Sequence, residues 1–162
     1  EPLIPLGEPG TWDSEWVTCW KELVPFGKGR IAVPYRGTGY PHKYPRWKET
    51  LGAERSAWAW WPAERLAAAT AVREGEFWTD HMVPAGRRLR INFRTARAGE
   101  IRIGVVGVKG RSVDDCDPIW GNDLSRIVTW KGKSDALAGA GKSVLLQVRM
   151  RCAELFALEW CR

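Results

Sequence analysis

Histidine and methionine are nearly missing from this 162-residue chain, with two of each. Two His exclude a zinc site built from several imidazoles. They leave only His42 and His81 for any Cys–His catalysis, without supporting context. Cysteine is sparse as well, and Cys19, Cys116, Cys152 and Cys161 form no CxxC pair, so neither a zinc ribbon nor a thioredoxin-type motif is indicated. The four read as buried free thiols. One disulfide in a secreted protein is the competing reading, and the spacing does not choose among the three pairings. A GxSxG nucleophile motif is absent. No apolar run approaches the ~20 residues of a membrane-spanning helix, and there is no internal repeat or low-complexity tract. Gly104, Gly107 and Gly110 lack a following helix pattern, so they make no dinucleotide fingerprint. The chain starts at Glu1 with no Met and no apolar leader, as expected of a processed or excised piece, and this leaves the compartment open.

What is present is ordinary except for tryptophan. Apolar residues make up 44% and charged residues 27%, which is globular rather than disordered composition. The length suits one domain, or one domain plus a fragment of another. The net charge is +6, and there are 11 Trp. The dominant periodicity is two. Leu89, Ile91 and Phe93 alternate with Arg88, Arg90, Asn92 and Arg94, which predicts a half-buried strand. Ala98-Gly99 then signals a turn, and Ile101, Ile103 and Val105 resume the alternation, so 87–106 reads as a hairpin. Further strands are expected at Ser125–Trp130, at Ser143–Arg151 and, after a break near Cys152–Glu154, at Leu155–Trp160. Ile31–Tyr35 and Ser56–Trp61 read as strands and 37–46 as a long loop. Glu64–Val72 is Ala-rich and suits a short helix on propensity alone, but Pro62 before it and the turn at Glu74-Gly75-Glu76 after it favour a strand or a strand lead-in. The expected fold is all-β, an antiparallel β-sandwich over 63–162. An irregular Trp/Pro-rich segment, 1–62, packs on it and holds seven of the eleven Trp.

Several stretches carry a resemblance. Leu6-Gly-Glu-Pro-Gly-Thr-Trp-Asp-Ser14 resembles the approach to the last blade of five-bladed β-propeller glycoside hydrolases, and Tyr35-Arg-Gly-Thr38 resembles a strand end in that blade. Gly75-Glu-Phe-Trp-Thr79, Gly86–Leu89 and Ile91-Asn92 are similar to the start of the C-terminal β-sandwich that follows such propellers. So are Ala98–Ile103, Asp114–Pro118, Val128–Gly132, Leu137, Gly141-Lys142 and Leu155-Phe156. The resemblance implies a jelly-roll-like sandwich preceded by material like one blade. It also implies an accessory role, since the family's catalytic carboxylates lie in earlier blades.

The Trp excess points to carbohydrate. A pyranose ring has a face of C–H groups that a flat indole can cover, while flanking polar groups bond to the hydroxyls. Trp47 with Tyr44, in a charged loop, and Trp120, between Asp117 and Asp123, are the leading candidates to touch a sugar; Trp12 and Trp16 follow. Trp58, Trp60, Trp130 and Trp160 read as core. Asp114, Asp115, Asp117 and Asp123 share one loop, which could bond sugar hydroxyls or hold Ca²⁺ through oxygen ligands, or simply serve its turns. Otherwise no cofactor is expected. Arg88, Arg90, Arg94 and Arg102, with Arg149 and Arg151 on a third strand, form a basic stripe. Such a stripe could attract a carboxylated or sulfated polysaccharide. It lacks the interleaved aromatics that nucleic acid would require, so neither a nucleic-acid nor a membrane partner is expected. The function expected is a non-catalytic carbohydrate-binding module, secreted or on a cell surface. A structural accessory domain docked on a larger glycoside hydrolase is the alternative, and a small glycosidase, needing two carboxylates ~5–10 Å apart, is the second.

Overall fold

Side chains that alternate between apolar and polar need a sheet to sort them. The computed structural model, which describes residues 2–43, 54–136 and 142–162, is all-β with antiparallel pairing in both of its sheets. The chain divides into two compact units, Glu1–Leu66 and Ala67–Arg162.

The first unit is organised by one strand. β1 (Trp16–Cys19) and β2 (Val24–Pro25) lie end to end along one edge of β3 (Arg30–Thr38), and β4 (Arg55–Pro62) pairs with its other edge. Pro34 sits within β3 although it cannot donate to a ladder. It falls between the part of β3 paired to β2, Ile31–Ala32, and the part paired to β1, Tyr35–Thr38. Its carbonyl accepts from the Trp20 N–H at 3.2 Å on that side, so the missing N–H faces the gap. Ala32, Val33 and Thr38 are buried. The loop expected from residue 37 begins later, because Gly37 and Thr38 belong to β3.

The second unit holds β5 (Ala69–Trp78), β6 (Arg88–Val105), β7 (Asn122–Ile127) and β8 (Leu146–Cys161) in the order β5-β8-β6-β7. Leu89, Ile91, Phe93, Ile101, Ile103 and Val105 of β6 share the buried face with Leu146, Val148, Met150, Ala153 and Leu155 of β8. Removing each such larger side chain from water contributes about 1.5–3 kcal/mol. The segment between β6 and β7 doubles back along β6: Ile101 and Ile119 exchange hydrogen bonds of 2.8 and 3.0 Å, and the Val105 N–H donates to the Arg111 carbonyl. Trp130 is wholly buried in the core, its indole N–H donating to the Ile103 carbonyl at 2.8 Å. The Arg111 guanidinium lies 5.6 Å from a Trp130 ring centre. Trp160 is half-buried against the core and its N–H meets the Met82 sulfur at 3.0 Å.

Three local expectations change. The hairpin at 87–106 is one strand, because both halves pair with β8. The Ala98-Gly99 turn signal marks a bulge. Thr95 faces Ala153 and Glu100 faces Arg151, so Ala96–Gly99 oppose Cys152 alone. The break expected near Cys152–Glu154 is the other side of that irregularity, with Cys152 at φ 43° and Ala98 at φ 61°, inside a continuous β8. The turn expected at Glu74–Glu76 lies inside β5, where a register shift between Ala71 and Glu74 absorbs the irregularity. All four cysteines are free, and only Cys116 is fully buried.

Candidate functional site

β6 and β8 present their second face to solvent, and there the basic stripe meets its counter-charges. Arg90 pairs with Glu159, Arg94 with Glu154 at 2.5 Å, and Arg102 with Glu100 at 3.5 Å. Arg149 holds Asp114 at 2.9 Å and Glu76 at 3.8 Å, and Arg88 donates to the Arg162 carbonyl. The stripe visible along β6 is thus largely neutralised by acids of the adjoining strands and loops. Such exposed pairs contribute little stability each, about 0–1 kcal/mol, but they cancel the long-range field that a polyanion would feel.

Two arginines escape this pairing. Among the described residues, Arg97 and Arg151 form no ion pair. Both line a depression of about 450 Å³ at the bulge, with Thr95, Ala96, Ala98, Gly99, Glu100, Trp120 and Gly121. Trp120 is 73% exposed, the most of any described Trp. Its neighbour Gly121 is held to β6 by three bonds: the Thr95 N–H and hydroxyl donate to the Gly121 carbonyl at 2.7 and 3.4 Å, and the Gly121 N–H donates to Thr95 Oγ1 at 2.9 Å. Gly121 has φ 110°, which a side chain would resist. A second depression of about 500 Å³ shares Thr95 and Ala96 and adds Thr70, Val72, Arg94, Cys152 and Glu154. Bulges commonly re-aim side chains beside functional sites. Here one places an indole, two cations and exposed backbone around a single concavity.

The other expected contact residues fall elsewhere. Tyr44 and Trp47 lie outside the described residues. Trp12 is half-buried, stacked on Tyr35 with ring centres 5.6 Å apart. The Tyr35 hydroxyl donates to Asp13 at 3.1 Å; burial, then that acceptor, pushes its pKa up. Trp16 stacks on His42 at 4.7 Å and lies under the Arg36 guanidinium at 5.4 Å, so partners already cover part of both indoles. Asp117 and Asp123 do not line the Trp120 depression. Asp117 accepts from Thr129 at 2.6 Å and from the Gly132 N–H at 2.8 Å, which lower its pKa. Asp123 accepts from the Ser125 N–H at 2.8 Å. Asp115 is held by Lys131 and Ser112, down to a pKa of about 2. Asp115, Asp117 and Asp123 thus each have a hydrogen-bond partner, and Asp114 is held by Arg149 of β8. No group of three or more His, Cys, Asp or Glu suited to a metal occurs among the described residues.

Two tryptophans expected in the core are at the surface. Trp58 and Trp60, two residues apart on β4, share a sheet face and are 49% and 51% exposed. Phe26 stacks on Trp58 at 5.9 Å, and Arg30 lies over Phe26 and over Trp60 at 4.8 Å.

Arg97, Gly99 and Glu100 were not singled out by sequence reasoning as contact residues. Their signal was the Ala98-Gly99 pair, which is compatible with a turn or a bulge alike. No family model matches the chain, and neither does any curated protein or solved structure.

Proposed function

We propose that the chain is a non-catalytic carbohydrate-binding module whose contact residue is Trp120. The observation that carries this reading is that Trp120, 73% exposed, lines the bulge depression. A sugar ring can lie against the indole while Arg97, Arg151 and the backbone of the bulge bond to its hydroxyls. Trp120 belongs to the segment joining β6 to β7, but its neighbours Ile119 and Gly121 are both hydrogen-bonded to β6, so little order is lost on binding. On this reading the second unit is a jelly-roll-like module and the first is blade-like material, as the resemblance to propeller hydrolases implies. The module then serves a catalytic domain outside the cell.

The test is affinity electrophoresis and calorimetry against a polysaccharide panel, with Trp120→Ala beside the parent. Retardation by at least one glycan, weakened about tenfold or more in Trp120→Ala at unchanged unfolding temperature, supports the reading. No retardation on any glycan ends it.

A second reading draws on Trp58 and Trp60, whose shared exposed face suits docking on a neighbouring protein domain. It makes the chain a structural accessory domain of a larger hydrolase. Loss of association with that hydrolase's catalytic domain in Trp58→Ser/Trp60→Ser, with glycan retardation absent throughout, would favour it.

A further inference from the structure

We infer that the Trp120 depression selects an anionic saccharide, one carrying a carboxylate or sulfate group on the stacked ring or next to it. The inference rests on the carbohydrate reading above and names its ligand class.

It comes from a contrast within one sheet face. Arg90, Arg94, Arg102 and Arg149 each hold an acid, and Arg88 holds the Arg162 carbonyl. Among the described residues, Arg97 and Arg151 alone of the β6 and β8 arginines have neither, and both line the concavity that Trp120 also lines. The acid of the same concavity, Glu100, is turned to Arg102 at 3.5 Å. Glu74 stands across from Arg151 in the β5–β8 register and lines the neighbouring depression with it, yet it makes no ion pair with Arg151. The two guanidinium groups therefore outweigh the acid left beside them. An arginine fork matches the oxygens of a carboxylate or sulfate with two parallel N–H bonds, about twice as strong as neutral ones. The bulge fixes the placement: Gly99 is packed against the β8 backbone, and Ala98 and Cys152 are both at positive φ. A ligand anion would complete the pairing that the rest of the face already has.

Two matched pairs of probes test this by calorimetry on the whole chain: oligogalacturonate against its methyl ester, and dextran sulfate against dextran. The anionic member should bind at least tenfold tighter in one pair or both, and its affinity should fall as salt rises. The pair that shows the preference tells carboxylate from sulfate. Arg97→Gln/Arg151→Gln should remove the preference, and Trp120→Ala should weaken binding of both members. Equal binding of charged and neutral members, abolished by Trp120→Ala, overturns the inference and leaves the carbohydrate reading standing. A preference unchanged in Arg97→Gln/Arg151→Gln overturns the placement at this site. Binding of neither anionic probe overturns the inference, and silence of the whole glycan panel overturns both.

Discussion

Gly99 of β6 packs so closely on Cys152 of β8 that a Cβ on the glycine would come well inside van der Waals contact with the Cys152 carbonyl oxygen. It would also stand 2.8 Å from the Arg151 oxygen and 3.0 Å from that of Ala96. Both sides of this contact are strained in the same direction, with Ala98 at φ 61° and Cys152 at φ 43°. The bulge that shapes the Trp120 depression therefore depends on the absence of one methyl group.

Gly99→Ala should be strongly destabilising, since backbone on every side of the new methyl must move. The expected loss is about 2–4 kcal/mol, in the range of overpacking and strain combined. Gly75→Ala is the control. Its Cβ would meet only the Ala71 Cβ at an ordinary 3.4 Å, so its effect should stay within about 1 kcal/mol. Urea unfolding of both variants checks the difference. Equal midpoints would mean that the Gly99 contact does not hold the bulge.

Trp130 and Trp120 should behave as opposites although both are indoles ten residues apart. Trp130 is sealed in the core with its N–H on the Ile103 carbonyl. Trp130→Ala should cost about 3–5 kcal/mol from the cavity, and Trp130→Phe about 1–3 kcal/mol from the unpaired carbonyl and the lost volume. Trp120→Ala should change stability by no more than about 0.5 kcal/mol. Chemical denaturation of the three variants decides it, and a large loss for Trp120→Ala would place that side chain in the fold rather than at its surface.

The alternation of β6 and β8 was readable from single residues, because Leu, Ile and Phe at every second position need one buried face. Pairing between strands was not readable. Ala98-Gly99 satisfies a hairpin turn and a bulge equally well, and only β8, running past both halves of β6, distinguishes them. For the same reason Arg90 and Arg94 looked like part of a basic stripe, whereas Glu159 and Glu154 come to them from a strand some sixty residues further on. Trp120 was legible as exposed from its polar neighbours. Trp58 and Trp60 were not, since a strand in a small sheet has no guaranteed cover for either face, and β4 leaves theirs half open.

Acid should weaken the fold partly through the loop that carries Asp115 and Asp117. Lys131 and Ser112 hold Asp115 down to a pKa of about 2, and Thr129 with the Gly132 N–H also lowers Asp117. A carboxylate depressed in the folded state binds fewer protons there than in the unfolded chain. Its contribution is therefore present above about pH 4, the ordinary carboxylate value, and is lost as pH falls toward 2. Asp115→Asn should flatten the decline of the urea midpoint over that interval and leave the profile between pH 5 and 7 unchanged in shape. An identical acid limb in parent and variant would show that the Lys131 contact does not survive in solution.

At the alkaline end Cys116 contributes. Burial pushes its thiol up to about 11, from an ordinary value near 9. The unfolded chain releases this proton first, so the contribution is complete below about pH 8 and is lost as pH climbs toward 11. Since the thiolate is the nucleophile, the same burial sets an order of reactivity. Cys19, which is exposed, should be modified by a thiol reagent at pH 8 well before Cys116, and Cys116 should react at the rate of global unfolding. Peptide mapping of a time course supplies the order, and urea midpoints of Cys116→Ala between pH 8 and 10.5 supply the slope. Prompt labelling of Cys116 in the folded chain would mean that the segment joining β6 to β7 opens without unfolding the sheet beneath it.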